Sequence, residues 1–412
     1  MVESPYSDRT LAGVLARAAE QFPAVVLTGP RQSGKTTLVR HLFGGTHSYC
    51  TLDDVTLREQ ARSDARLLLS RFPPPVILDE IQYAPEMLHS VKIDVDEHRG
   101  EKGRYVITGS QAFPLMRGVS ESLAGRAAVL SLQSMSLAET RGRAAPDAGW
   151  RAVLDGAGRT DGGAAGDPAE FAGRLLRGGF PEPALNQSVD PALWLSSYIQ
   201  TYLERDVRSL RAVGELGDFQ RVLYALAART GALINFSDLA RDLGVTSKTV
   251  KAWVSVLEVS GQVLTLKPYH ANLGKRLVKR PKVYFLDTGI LGYLLGLTEP
   301  AQVIQGMAAG PMIESAVLGA LYRLLVHRGA VPRLYFWRTA GGHEVDFILD
   351  DGRQLIPIEA KLTATPRPEH AQGIERFQAL FGPRAAPGLL VCLCRQRFPL
   401  TASVDAVPLD SL

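Results

Sequence analysis

The run Gly29-Pro30-Arg31-Gln32-Ser33-Gly34-Lys35-Thr36 constrains this chain more than any other stretch. It fits the phosphate-loop pattern G-x-x-x-x-G-K-[ST] at every fixed position. Its flanks fit too. The apolar, β-branched run Ala24–Thr28 leads in, and a helical stretch over 36–43 leads out. Such a chain must turn sharply from a strand into a helix. That turn aims several backbone N–H groups at one point, and the helix N-terminus adds a field that favours an anion there. Gly29 and Gly34 allow backbone angles and a close approach that a Cβ would block. The candidate nucleotide-binding set is therefore Gly29, Pro30, Arg31, Gln32, Ser33, Gly34, Lys35, Thr36 and Thr37. From it Lys35 can reach β- and γ-phosphates, and the Thr36 hydroxyl can ligate Mg²⁺.

A second run ends in carboxylates. Pro75-Val76-Ile77-Leu78-Asp79-Glu80 reads as a buried parallel strand with two acids at its carboxyl end, where ligands of such sheets gather. Asp79 would hold Mg²⁺ directly or through water, and Glu80 would polarise an attacking water. Between the motifs there is room for a helix, a strand near 47–52 and a helix over 55–71. One extra strand therefore separates the two motif strands. With the glutamate after the aspartate, this order resembles the AAA+ branch of phosphate-loop ATPases. The resemblance implies a polar γ-phosphate sensor at the end of the next strand, 104–110, where Ser110 and Thr108 are candidates. It also implies an arginine just before the fifth strand. Ser122-Leu123-Ala124-Gly125-Arg126 precedes the apolar run 127–132, so Arg126 is either a finger reaching a neighbour's site in a homo-oligomer or a surface cation. Lys35, Glu80, Ser110 and Arg126 are the expected catalytic set, with ATP and Mg²⁺ as ligand and cofactor.

A chain of 412 residues can bury the cores of two or three domains. Its 46% hydrophobic and 21% charged content is that of a soluble globular protein. A net charge of +4 permits contact with nucleic acid without requiring it. We expect no membrane span, and the start lacks the basic-then-apolar shape of a signal peptide. Cys50 stands alone, and Cys392 and Cys394 alternate along an apolar strand. This usage points to a reducing, cytoplasmic setting.

Patterning divides the chain further. An ATPase core is expected over 1–140, a flexible insertion or linker rich in Gly, Ala, Asp and Arg over 141–167, and a helical lid over 168–217 with a long helix over 191–213. Residues 218–282 read as helix, helix capped by Ser237, tight turn at Gly244-Val245, helix, then a strand pair, which is a winged helix-turn-helix. Lys248 and Lys251 open its third helix, and Lys275, Arg276, Lys279 and Arg280 crowd the wing. These six cations suit DNA phosphates, though a winged helix can equally pack against protein.

Over 283–412 the pattern changes again. A strand ending near Leu349 carries Asp346, Asp350-Asp351-Gly352-Arg353 makes a hairpin turn, and the return strand brings Glu359 and Lys361 to one face. Two facing carboxylates can hold Mg²⁺ or Mn²⁺, and a nearby lysine can stabilise charge on a phosphate. With Glu314 near the start of a preceding helix, this looks like a restriction-endonuclease-type core, whose pattern is an Asp followed by E-x-K. The bland alternative is a surface hairpin with a Glu359–Lys361 ion pair.

Taken whole, the chain resembles a group of bacterial and archaeal AAA+ ATP-binding proteins with a C-terminal domain of unknown function. The matching pieces include 29–37, Leu78-Asp79-Glu80-Ile81-Gln82, Arg177-Gly178-Gly179-Phe180-Pro181, Tyr284-Phe285-Leu286-Asp287-Thr288-Gly289 and 344–361. The expected fold is α/β: an AAA+ phosphate-loop ATPase core with helical lid, a winged helix-turn-helix and a restriction-endonuclease-like domain. The expected function is ATP hydrolysis coupled to DNA binding. The alternatives are a regulatory ATPase whose inactive nuclease-like domain binds a protein partner in a defence or toxin–antitoxin setting, and an ATP-gated metal-dependent nuclease.

Overall fold

The computed structural model describes residues 6–110, 119, 122–145, 147–156, 168–203, 216–269, 280–339 and 341–412. Five short strands build the first half: β1 (Ala24–Thr28), β2 (Ser48–Thr51), β3 (Val76–Asp79), β4 (Tyr105–Thr108) and β5 (Ala127–Ser131). They form one sheet in the order β2-β3-β4-β1-β5, and every pairing is parallel. Strands buried on both faces need apolar residues at successive positions, and β1, β3 and β4 are buried throughout. Val25 and Leu27 pack with Leu11, Leu15 and Leu38 on one face, whereas Ala24 and Val26 pack with Met87, Leu88 and Val91 on the other. Both motif strands thus lie inside the sheet, and their carboxyl ends open on the same edge.

The expected helix over 55–71 is two helices, Val55–Ser63 and Ala65–Arg71. Asp64 (φ −152°) leaves the helical region, and its carboxylate caps the second helix at the Leu67 N–H. The expected helix over 191–213 is α-helical only for Pro191–Tyr198. It continues as a π-helical turn, Ile199–Leu203, and the rest lies outside the described residues.

The second half joins into one eight-stranded sheet. Its strands are β6 (Val263–Pro268), β7 (Lys282–Phe285), β8 (Leu334–Arg338), β9 (Glu344–Asp350), β10 (Leu355–Ala360), β11 (Gly388–Cys392), β12 (Phe398–Pro399) and β13 (Val404–Pro408), in the order β12-β13-β11-β10-β9-β8-β6-β7. Helices Leu216–Ala227, Phe236–Leu243 and Ser247–Val259 precede the antiparallel pair β6–β7. Asn235, not Ser237, caps the middle helix, because its extended backbone lets the side-chain oxygen accept from the Ser237 N–H at 3.0 Å. The end of β6 then pairs with β8, at Lys267 opposite Tyr335 and Pro268 opposite Phe336.

Two glycine-bearing motifs meet between the halves. A Cβ on Gly178 would stand 2.4 Å from Asp287 Oδ1, and one on Gly289 would stand 2.9 Å from Gly178 Cα. Asp287 accepts from the N–H groups of Gly289 and Gly179, at 3.0 and 2.9 Å, so one carboxylate caps the Thr288–Leu294 helix and anchors the turn that follows the helix Pro168–Arg177.

A further expectation needs correction. Within the expected linker, Trp150–Leu154 is helical and packed. Arg151 pairs with Asp351, and Arg328 donates to the Ala148 carbonyl at 2.7 Å, which ties this segment to the C-terminal third. Among the described residues, one helix, Ala309–Val326, is long and apolar enough by length and composition to cross a membrane. Its most apolar window is 67% buried inside the molecule, as the core helix of a folded domain is.

Candidate functional site

The phosphate loop runs from β1 into the helix Lys35–Phe43. Gly29 has φ 134°, and a Cβ there would lie 2.1 Å from the Leu132 carbonyl oxygen, so only glycine fits. Gly34 caps the helix at φ 90°, and Gln32 also holds a positive φ of 54°. Such backbone strain in a non-glycine residue persists only where its surroundings enforce it. Lys35 is buried, and its Nζ donates to the carbonyls of Gly29 (3.0 Å) and Pro30 (2.8 Å). The Ser33 hydroxyl is buried with no hydrogen-bond partner among the described residues. Arg31 reaches toward the Tyr83 hydroxyl at 3.5 Å, and the Arg58 guanidinium covers the Tyr83 ring at 4.3 Å. A glycine-shaped cradle, a helix N-terminus and an orphaned buried hydroxyl fit a phosphate chain.

Asp79 sits at the carboxyl end of β3, opposite the loop. Thr36 Oγ1 donates to its two oxygens at 2.9 and 3.2 Å, Tyr49 OH donates at 2.7 Å, and Thr108 also donates to it. Burial and the Asp79 carboxylate push the Tyr49 phenol up, so it stays a donor. The next residue, Glu80, adopts a left-handed backbone at φ 59°. Its N–H donates to Thr108 Oγ1 at 3.3 Å, and its carboxylate accepts from Gln82 and from Ser110 Oγ (3.3 Å). The structure therefore brings together Lys35, Thr36, Asp79, Glu80, Thr108 and Ser110. Arg126 lies elsewhere, locked on Asp96 by Nε (2.7 Å) and Nη2 (2.9 Å). Sequence reasoning assigned no role to Tyr49, Gln82 or Arg9. Only Gln82 carried a signal, in the Asp-Glu-Ile-Gln run.

The carboxylates of the C-terminal third also converge. Antiparallel β9 and β10 pair at Phe347 opposite Ile358, which sets Asp346 and Glu359 on adjacent strands. The Ala360 N–H donates to Asp346 Oδ2 (3.0 Å), and Lys361 Nζ donates to Glu359 Oε1 (2.8 Å). Glu314, on the helix Ala309–Val326, accepts from Tyr284 OH at 2.8 Å. Lys282 on β7 pairs with Glu344 at 2.5 Å. Burial, then the Asp346 charge, raises both Glu314 and Glu359 to about 7, and burial raises Asp346 as well. Among the described residues, no group of three or more His, Cys, Asp or Glu is set to hold a metal. Lys282 and Tyr284 were missed as site residues, because nothing in a strand-like Lys-Val-Tyr-Phe run indicates which carboxylates it will meet.

Of the six expected DNA contacts, Lys248 and Lys251 are exposed at the start of Ser247–Val259, and Arg280 is exposed before β7. Lys275, Arg276 and Lys279 lie outside the described residues.

The all-parallel sheet with a strand between its two motif strands, and the loop facing Asp79, define a phosphate-loop ATPase core. Residues 21–141 match the family model of an AAA domain, so this core is of the AAA type. Residues 169–301 and 309–412 match models described as Domain of unknown function (DUF8612) and Domain of unknown function (DUF4143). The chain is 32% identical over 406 residues to "Uncharacterized protein Rv2008c" of Mycobacterium tuberculosis, covering 98% of this chain and 84% of that protein. The same figures hold for "Uncharacterized protein Mb2031c" of Mycobacterium bovis. The chain belongs to the family of these mycobacterial proteins. Among solved structures it is similar to the Walker-type ATPase PABY2304 of Pyrococcus abyssi at 16% identity and a TM-score of 0.45, covering 70% of this chain and 96% of that one.

Proposed function

We propose that this chain binds Mg-ATP in the loop over 29–37 and hydrolyses it, and that hydrolysis is coupled to DNA held by residues 218–282. The observation that carries the ATPase reading is the meeting of Thr36, Asp79 and Thr108 across the mouth of a strained, glycine-shaped loop. Lys35 would leave the carbonyls of Gly29 and Pro30 for the β- and γ-phosphates. Thr36 and Asp79 would hold Mg²⁺, which supplies positive charge to the phosphate oxygens when bound. Glu80 would accept a proton from the attacking water, with Gln82 and Ser110 fixing its carboxylate. Arg126 would act on a neighbour's site only after leaving Asp96. The test is phosphate release by the purified chain with and without duplex DNA. The reading expects hydrolysis that DNA changes, and a chain that binds no ATP would overturn it.

The order helix, turn, helix, antiparallel pair supports a winged helix, and the exposed Lys248, Lys251 and Arg280 support its use on phosphates. DNA binding is expected to weaken with salt. Neutralising Lys248 and Lys251 should reduce the log–log salt slope by about one for each lost contact. Titration of labelled duplex at several salt concentrations checks this. Affinity that ignores both salt and these lysines would favour a protein partner instead.

A second reading, a nuclease-like domain over 283–412, is favoured by the Asp346–Glu359–Lys361 hairpin with Glu314 beside it. Mg²⁺ or Mn²⁺ is expected to bind there and to be lost in Asp346→Ala, with ATP binding intact. Ligating carboxylates must shed their protons, and Glu314 and Glu359 hold theirs up to about 7. Affinity should therefore rise as pH rises through about 7. Calorimetry with the full chain at pH 6 and pH 8 measures this. No Asp346-dependent binding at either pH would leave the hairpin as a structural or partner-binding element.

A further inference from the structure

A buried ion network joins the N-terminal arm, the phosphate loop and the long helix of the C-terminal third, and hydrolysis as described above makes no use of it. Arg9 is 3% exposed. Its Nη1 donates to the Ser33 carbonyl at 2.7 Å, and its Nη2 donates to the Gln133 carbonyl at 2.8 Å. Nη1 also lies 3.5 Å from where a Cβ on Gly34 would stand. The guanidinium fork thus grips the loop one peptide before Lys35. In a planar trans peptide the carbonyl and the following N–H point in opposite directions. Holding the Ser33 carbonyl therefore aims the Gly34 N–H away from Arg9.

The grip is itself held. Arg9 Nε lies 3.5 Å from Glu139 Oε1. Glu139 is fully buried and accepts from the N–H groups of Thr10 (2.7 Å) and Ser136 (2.8 Å). His327 follows the end of the helix Ala309–Val326 and faces the same oxygen through Nδ1 at 3.5 Å. The Gln133 N–H donates to His327 Nε2 at 3.0 Å, so that nitrogen carries no proton and the imidazole is neutral with its hydrogen on Nδ1. Arg323, one turn earlier, is buried and donates to the Leu286 carbonyl (2.8 Å) and to Ser134 Oγ (3.4 Å). The 133–139 segment is therefore clamped between Arg9 and the C-terminal helix. Glu314 stands on that helix 13 residues before His327, about 20 Å away at 1.5 Å per residue.

We infer that Arg9 is a positioning residue of the phosphate loop, and that Glu139 and His327 make its grip answer to the C-terminal third. This rests on the reading that ATP binds at residues 29–37. Lysine at position 9 keeps the charge but cannot fork between two carbonyls. His327→Gln leaves every loop contact in place but removes the Nδ1–H that faces Glu139.

The experiment measures ATP affinity, KM and kcat for the full chain, Arg9→Lys, His327→Gln and the double variant, with thermal melting as a check on folding. Arg9→Lys, melting near wild type, should raise the ATP Kd and KM about tenfold with a smaller change in kcat, the size expected from a lost charge-assisted hydrogen bond. His327→Gln should raise Kd severalfold. The double variant should fall short of the product of the two effects, because both act through one contact. Arg9→Lys that folds and binds ATP like wild type overturns the positioning role. Effects that multiply independently overturn the link to the C-terminal third. A wild-type chain that binds no ATP overturns the nucleotide reading itself, and this inference with it.

Discussion

Lys35→Ala is expected to lower ATP hydrolysis by on the order of a hundredfold or more, a barrier increase of roughly 3 kcal/mol. The side chain lies inside the loop, 5% exposed, with its ammonium on the carbonyls of Gly29 and Pro30. Alanine removes the buried ammonium from the cradle and strips both carbonyls of that donor. Arginine should not rescue it. The loop closes around a compact ammonium, and a planar guanidinium needs a different set of acceptors. Phosphate release, measured beside nucleotide binding, separates a loss of affinity from a loss of turnover.

Glu139→Ala is expected to destabilise the fold by about 3–5 kcal/mol, the usual cost of removing one partner from a buried charge pair. The N–H groups of Thr10 and Ser136 would lose their acceptor inside the protein, and Arg9 would lose its counter-charge. Burial alone would raise this carboxyl, but Arg9, His327 and the Ser136 N–H hold it well below the usual carboxylate range. A carboxyl depressed by folding contributes stability that is present above its unfolded value, near 4.5. That contribution is lost as pH falls toward the folded value. His327 adds to the same trend. Burial lowers its pKa, so protonation on acidification below about 6.5 favours unfolding. Urea unfolding at pH 7 and pH 3 should show a large deficit for Glu139→Ala at the higher pH and a smaller one at the lower.

The half of the molecule built on local signals was legible in its sequence. Buried parallel strands show as unbroken apolar runs, and the glycines of the phosphate loop mark a close approach that the Leu132 carbonyl makes concrete. The Asp346 and Glu359 hairpin was legible because its turn residues sit between two alternating strands. What escaped depends on distant partners. Arg9 meets Ser33 across 24 residues and Gln133 across 124, and no spacing rule reaches that far. Tyr49 looks like any aromatic strand residue until the sheet order places β2 beside β3 and its hydroxyl on Asp79. The union of β6 with β8 rests on two residue pairs, Lys267 with Tyr335 and Pro268 with Phe336, between segments that patterning assigns to different modules. Trp150–Leu154 hid in a Gly- and Ala-rich stretch because its stabilising contacts come from Arg328, Arg397 and Asp351 rather than from its own period.

Glu80→Gln tests the central claim most directly. Thr108 accepts from the N–H of this strained left-handed residue, Gln82 and Ser110 hold its carboxylate, and glutamine keeps its size while removing the base. The decisive measurement is single-turnover hydrolysis of Mg-ATP by the purified variant, alongside its ATP Kd. The account predicts ATP bound about as tightly as by wild type and hydrolysis slowed by on the order of a hundredfold or more. Hydrolysis by Glu80→Gln at the wild-type rate would contradict it.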